Sequence, residues 1–185
     1  MASLVGSRVE RKEDKKLLTG RGKYTADVTF AHQTYAYFVR SPHARAQLKK
    51  VDISKAEKAP GVVSVLTGKD IVNDKIGGLI AGWRIKSEDG SDMKVPAHPP
   101  LASETVNYVG DHVAVVIAES LDEARNAAEL VKVDYKVMKA VVKTDEAMKS
   151  DDIYKDIPKN LCFDWLLGDR AKVKEAFDKA DKIIK

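Results

Sequence analysis

The four histidines of this chain are the residues whose type is most often used to bind a metal ion or to move a proton near neutral pH. No two of them have the i, i+4 spacing with which a helix presents two imidazoles to one zinc ion. A metal site would therefore need distant ligands that the fold brings together. We expect a hydrogen-bonded turn residue at His43 and an exposed loop residue at His98; the other two histidines are His32 and His112.

Hydroxyl and thiol nucleophiles need an activating neighbour, and none of the candidates has one in the sequence. Ser41 lies in no nucleophile motif, and Ser120 has a glutamate three residues later, the spacing of a helix capping box. Cys162 lies in a predicted strand, which favours a buried, inert thiol over a nucleophile. Gly20 and Gly22 are only a fragment of a phosphate loop. The sequence thus assigns no catalytic, cofactor-binding or metal-binding residue.

The composition of the 185 residues indicates an ordered protein without disulfides or a membrane span. Hydrophobic residues make up 44% of the chain, which excludes a disordered polymer. The longest apolar run is Val113 to Ala118, far below the roughly 20 residues of a spanning helix. The single cysteine excludes a disulfide framework and a multi-cysteine metal site. Without an apolar signal core at the N-terminus, we expect a cytoplasmic protein.

Positive charge is concentrated at the start of the chain. Residues 1–50 contain 11 Lys and Arg against 4 Asp and Glu, whereas the whole chain has a net charge of +4. Such a segment can meet nucleic acid, an acidic protein surface or an anionic cofactor, and it is equally typical of a solvated, lysine-rich surface. Aromatic residues at 6% argue against a single-strand nucleic-acid binder, and we interpret Trp83 and Trp165 as packing residues.

Strand patterns begin only after about 30 polar residues. We therefore divide the chain into an extended basic arm at 1–30 and a domain at 31–185. Alternating or continuous apolar residues predict strands at 35–40, at 46–53 with a slip near Lys49 and Lys50, and at 62–66. Ser54 has the capping-box spacing and predicts a short helix that Pro60 and Gly61 end. Residues 73–104 are predicted to be irregular, either an excursion that serves an interface or a pair of short hairpins.

The clearest pattern is a strand–helix–strand unit at 113–137. A buried strand at 113–118 precedes a helix capped by Ser120, and a strand follows at 131–137; if the two strands are parallel, the crossover is right-handed. The tail predicts a strand at 161–167, a helix after Asp169 and a strand that starts at Ile183, so the chain looks cut at its C-terminus. This order of elements predicts an α+β fold rather than a doubly wound sheet.

Several segments together resemble one enzyme family, the molybdenum hydroxylases that include xanthine dehydrogenase, aldehyde oxidase and aerobic carbon monoxide dehydrogenase. Each motif alone is weak, but their order and spacing agree over nearly the whole chain. The similar segments are 11–14, 17–24, 38–46, 59–68, 100–102, 108–118, the alanines at 124, 127 and 128, and 133–135. The opening segment at 11–14 is most similar to bacterial large subunits of the carbon monoxide dehydrogenase type.

The resemblance implies a fold for this segment and an enzymatic activity for the whole subunit. This part of the family is the N-terminal α/β hammerhead domain of the molybdenum-binding large subunit. The whole subunit would hold molybdenum on a molybdopterin cofactor, often a cytosine dinucleotide in bacteria, and would oxidise carbon monoxide, an aldehyde or an N-heterocycle. FAD and two [2Fe–2S] clusters would lie on partner subunits, in a homodimer of heterotrimers. The family's catalytic and pterin-binding residues lie beyond this domain, and Cys162 does not match its copper-binding cysteine.

The resemblance therefore implies that this chain is a structural and assembly domain, and we expect it to be inactive alone. The arm at 1–23 is our candidate for a contact between domains or subunits. Two other interpretations stay open: a stand-alone, non-catalytic binding or assembly module, and a basic nucleic-acid-binding domain that only the charge supports. An isolated piece of a larger subunit is expected to expose an apolar patch larger than a few hundred Å².

Overall fold

A computed structural model of the chain describes residues 5–184. The strands are β1 (Tyr35–Arg40), β2 (Ala46–Asp52), β3 (Val62–Thr67), β4 (Thr105–Val106), β5 (His112–Ala118) and β6 (Lys132–Val137). The helices are α1 (Asp14–Leu18), α2 (Gly68–Asn73), α3 (Leu121–Glu129), α4 (Thr144–Ala147) and α5 (Arg170–Asp178). The predicted α+β class is confirmed. Among the described residues, no helix has the length and apolar character needed to cross a bilayer.

The six strands form two three-stranded sheets, with the orders β1-β5-β3 and β4-β2-β6. Every pairing between these strands is antiparallel. β5 and β6 lie in different sheets, so the strand–helix–strand unit contains no parallel crossover. The register of β2 against β6 shifts between Leu48 and Lys50, which confirms the slip predicted there.

β5 is the strand around which the core forms. Val116 packs into a cluster beneath α3, Val115 into a cluster with Ile71 and Leu101, and Val113 into the core of the second sheet. A strand buried on both faces needs a continuous apolar run, which is what residues 113–118 provide. One strand therefore supplies side chains to all three hydrophobic clusters.

α3 covers the first sheet with a face of small residues. Ala124, Ala127 and Ala128 are buried and let the helix approach β1 and β5 closely. The helix begins where predicted: the Ser120 hydroxyl oxygen accepts a hydrogen bond from the Glu123 backbone N–H (3.2 Å) and donates to the Glu123 carboxylate (2.8 Å).

The second predicted capping box does not start a helix. The Ser54 hydroxyl donates to the carboxylate of Asp52 at 2.7 Å, and residues 54–58 form only turns. This hydrogen bond is the largest of the causes that lower the pKa of Asp52, followed by the Lys50 ammonium. The helix that does form in this part of the chain is α2, and its N-cap is Thr67, which was not predicted from the sequence.

α2 begins directly at the end of β3. The Asp70 carboxylate accepts hydrogen bonds from the Thr67 backbone N–H (2.7 Å) and hydroxyl (2.8 Å), which lower its pKa. A side chain on Gly68 would overlap the carbonyl of Ala102, so only glycine lets this turn approach the segment before β4. Thr67 and Asp70 are three residues apart, which is the capping-box spacing, so the start of this helix could have been predicted from the sequence.

The tail and the arm also differ from their predicted structures. Residues 161–167 form no strand, although Lys94 and Glu88 donate backbone hydrogen bonds to the carbonyls of Cys162 (2.9 Å) and Asp164 (2.8 Å). Residues 183–184 form no strand either. α5 starts after Asp169 as predicted, and the arm contains α1 instead of being extended throughout.

Replacing Ser120 by alanine should destabilise the domain by about 1 kcal/mol, because the first turn of α3 loses its side-chain acceptor. Urea denaturation followed by far-UV circular dichroism measures this loss. The matched control is Ser54→Ala, which removes a hydroxyl that caps no helix and should cost much less. Equal losses for the two variants would contradict the assignment of Ser120 as the cap.

Candidate functional site

The structure separates the four histidines, and three of them contact different aromatic rings. His112 stacks on Phe38 with ring centroids 4.4 Å apart. The backbone N–H of His43 donates to the Ser41 hydroxyl oxygen at 3.0 Å, which confirms the predicted hydrogen-bonded turn, and its ring meets Tyr135 edge-on. His98 is exposed, as predicted, and its Nε2 lies 3.2 Å from the hydroxyl of Tyr108.

The metal-ligating side chains are not grouped. Within residues 5–184, no three His, Cys, Asp or Glu side chains come together in a way that would hold a metal ion. Cys162 is a half-buried free thiol in a segment without regular structure, rather than a fully buried strand residue.

Ser41 and Asp111 instead form a structural connection, here called the Ser41–Asp111 joint. The Ser41 N–H donates to the carbonyl of Asp111 and the Gly110 N–H donates to the carbonyl of Ser41, both at 2.8 Å. Both joint residues are buried. Gly110 has a φ of 92°, which favours glycine at this turn. The joint ties the β1–β2 connection to the loop that precedes β5.

The carboxylate of Asp111 orders the rest of that loop. It accepts a hydrogen bond from the backbone N–H of Asn107 at 3.0 Å. The Asn107 side-chain amide in turn donates to the hydroxyl of Tyr154 at 3.3 Å, 47 residues further along the chain. The joint thereby fixes a small polar cluster that the sequence analysis did not identify.

This cluster lines a cavity of about 260 Å³, here called the Asn107–Tyr154 cavity. Its other walls include Leu79, Ile80 and Pro96 from the irregular loop. Burial is the largest cause that raises the pKa of Tyr154 above its ordinary value of 10.0, so its phenol keeps its proton at neutral pH. No sequence signal marks this site, because its residues come from three separate segments.

Exposed apolar surface is the other prominent feature. The chain exposes 15093 Å² of accessible surface. A folded monomer of its mass exposes about 8,800 Å² by the usual scaling. No residue at 5–30, 72–100 or 161–184 is buried. We call these ranges the open segments.

The open segments carry large hydrophobic side chains. Trp83 is 83% exposed and Trp165 53% exposed, so neither residue, both interpreted above as packing residues, is packed inside the part of the chain that the structure describes. Leu18 and Ile80 are exposed to a similar degree as Trp83. Large hydrophobic side chains are thus exposed in all three open segments.

The arm adds charge to this surface. Residues 5–30 contain seven Lys and Arg against four Asp and Glu, interleaved with exposed apolar residues such as Val9, Leu17 and Phe30. Basic and apolar side chains in one exposed segment suit a partly acidic protein surface. The described part of the arm is thus an exposed segment that is both basic and apolar.

Comparison with known proteins gives a consistent family match. Residues 19–139 match the family described as aldehyde oxidase and xanthine dehydrogenase, a/b hammerhead domain. The chain is 34% identical to the nicotine 6-hydroxylase large subunit of Paenarthrobacter nicotinovorans, a match that covers 98% of this chain and 22% of that protein. It is 32% identical to the carbon monoxide dehydrogenase large chain of Afipia carboxidovorans, covering 98% of this chain and 23% of that protein.

A solved structure shows the same fold. The reconstituted CO dehydrogenase from Oligotropha carboxidovorans superimposes with a TM-score of 0.75 and 31% identity, over 96% of this chain and 22% of that one. The chain therefore spans less than a quarter of the length of these relatives.

Replacing Asp111 by alanine should destabilise the fold by about 1–3 kcal/mol, because the Asn107 N–H loses its acceptor. Chemical denaturation of the 185-residue chain measures the change. Asp92→Ala is the matched control, since the Asp92 carboxylate forms an exposed ion pair with Lys86 whose loss should have little effect. If Asp111→Ala is as stable as Asp92→Ala, the Asp111 carboxylate does not order the loop before β5 as described above.

Proposed function

Because the chain belongs to the aldehyde oxidase and xanthine dehydrogenase family, as its a/b hammerhead domain, we propose that it is the hammerhead domain of a molybdenum hydroxylase large subunit. The observation that carries this proposal is the match of 98% of the chain to large subunits at 34% and 32% identity. The family description and the named activities of those relatives support an oxidation of a small molecule by the whole complex, with carbon monoxide, an aldehyde or an N-heterocycle as the substrate class.

The role proposed for this segment is structural. The resemblance implies that the catalytic and pterin-binding residues lie beyond this domain, so we derive no catalytic step through the molybdenum group. The open segments instead support packing against the remainder of the large subunit and against partner subunits. In the proposed complex the remainder holds a molybdopterin cytosine dinucleotide, and the partners hold FAD and [2Fe–2S] clusters.

The assembly we propose is a homodimer of heterotrimers in the cytoplasm. The basic arm supports a contact with an acidic surface in that assembly, because its seven basic residues lie on a segment with no buried residue. The single cysteine is consistent with a reducing compartment.

The proposal predicts a native polypeptide several times larger than 20.4 kDa. An antibody raised against the domain should detect a band about four to five times that mass in the source cells, since the chain spans 22–23% of its relatives. The complex captured by the antibody should contain molybdenum by elemental analysis. A band at 20.4 kDa without molybdenum would instead support a stand-alone binding or assembly module.

Replacing Arg8, Arg11 and Lys12 by glutamate in the whole subunit should weaken its assembly with partner subunits about tenfold or more at low salt, because attraction to the acidic surface becomes repulsion. Analytical ultracentrifugation measures the assembly, and circular dichroism should show an intact fold.

The matched control carries the same change of charge outside the arm. It replaces Lys55, Lys58 and Lys139, which are exposed, by glutamate. The control should assemble like the unmodified subunit. Normal assembly of the arm variant, or equal weakening of both variants, would refute the role of the arm.

A further inference from the structure

The Asn107–Tyr154 cavity contains polar groups whose hydrogen-bonding capacity is unused. The Oδ1 of Asn107 is buried and has no hydrogen-bond partner. The hydroxyl of Tyr154 accepts from the Asn107 amide, and among residues 5–184 no acceptor for its own proton is found. A buried polar group without a partner destabilises the protein, and an incoming group that pairs with it removes that cost.

The two unused groups are an acceptor and a donor held next to each other. The Asn107 Nδ2 and the Tyr154 hydroxyl are 3.3 Å apart, so the unpaired Oδ1 of the same amide and the phenol proton belong to neighbouring groups. Their missing partners are one hydrogen-bond donor and one acceptor, which a peptide N–H and a carbonyl oxygen can supply. In an extended strand, the N–H and C=O of a single residue point to the same side, as they do when two antiparallel strands exchange a pair of hydrogen bonds. One extended peptide residue therefore satisfies both groups.

The walls of the cavity define the side chain of that residue. Leu79 and Ile80 line it and are 62% and 89% exposed, which is a large exposure for aliphatic side chains. The backbone N–H of Leu79 donates to the carbonyl of His98 at 2.8 Å, so this wall is held in place. An aliphatic side chain seated here would cover both residues.

The volume distinguishes a peptide residue from a cofactor. Sites for drug-sized ligands and cofactors measure about 300–1,000 Å³. The cavity measures about 260 Å³, which suits one side chain with its peptide groups. So small a contact gives only weak binding between separate molecules. A segment of the same polypeptide has an effective concentration in the millimolar range, so it can occupy the cavity even when its affinity is weak.

We propose that the Asn107–Tyr154 cavity is a receptor for one extended, aliphatic residue from the remainder of the same large subunit. The Tyr154 hydroxyl donates to the carbonyl of that residue, and Asn107 Oδ1 accepts from its N–H. This inference rests on the proposed function for the source of the segment, because this chain spans 22–23% of its relatives and most of such a subunit lies outside it.

The receptor itself is tested on the 185-residue chain with N-acetyl-L-leucine methylamide as the probe. Methyl NMR signals of Leu79 and Ile80 should shift saturably, with a dissociation constant in the millimolar range. The ester analogue, in which oxygen replaces the leucine N–H, should bind about threefold or more weakly, as should the probe to the variant Tyr154→Phe. The matched control Tyr24→Phe changes an exposed tyrosine outside the cavity and should bind like the unmodified chain.

The source of the segment is tested by thiol labelling. In a Cys162→Ser background, Ile80→Cys should react readily in the 185-residue chain and about tenfold or more slowly in the whole subunit. Absence of saturable binding, or equal binding of the amide and ester probes, would overturn the receptor. Equal labelling rates would overturn the assignment of the segment to the same subunit. A native polypeptide of 20.4 kDa would contradict the proposed function. It would not affect the probe-binding result, which tests the receptor independently.

Discussion

The burial of β5 on both of its faces is the constraint on which the rest of the structure depends. Its backbone pairs with β1 on one side and β3 on the other, and its side chains enter all three hydrophobic clusters. α3 packs over Val116 of β5, and the second sheet packs against Val113 of the same strand. A polar or charged residue within 113–118 would therefore disturb both layers, whereas most changes in the open segments would not.

The Ser41–Asp111 joint connects this core to the Asn107–Tyr154 cavity. It lies at the start of β5 and holds the preceding loop against the β1–β2 connection through two backbone hydrogen bonds. Because the Asp111 carboxylate also holds the backbone of Asn107, the polar end of the cavity is fixed by the same residues that connect the sheets. The rigid core and the open segments thus meet at the Asn107–Tyr154 cavity, where Leu79 and Ile80 form the exposed wall.

Local patterns predicted the parts of the fold that local forces determine. The strands β1, β2, β3, β5 and β6 and the helix capped by Ser120 follow from apolar periodicity and one capping box. The strand at 161–167 was predicted wrongly because a strand needs a partner, and its neighbour, the loop near Glu88 and Lys94, provides only isolated hydrogen bonds. The cavity was not predictable, since Asn107 and Tyr154 are 47 residues apart. Trp83 was interpreted as a packing residue, but it is 83% exposed, and no local pattern indicates what would cover it.

The central claim is that the open segments are covered in a larger subunit. Hydrogen–deuterium exchange measures this directly when the 185-residue chain is compared with the same residues in the native complex. Backbone amides at 72–100 and 161–184 should exchange about tenfold or more slowly in the complex, while those of the buried strand β5 should change little. Equal exchange of the open segments in both forms would contradict the account.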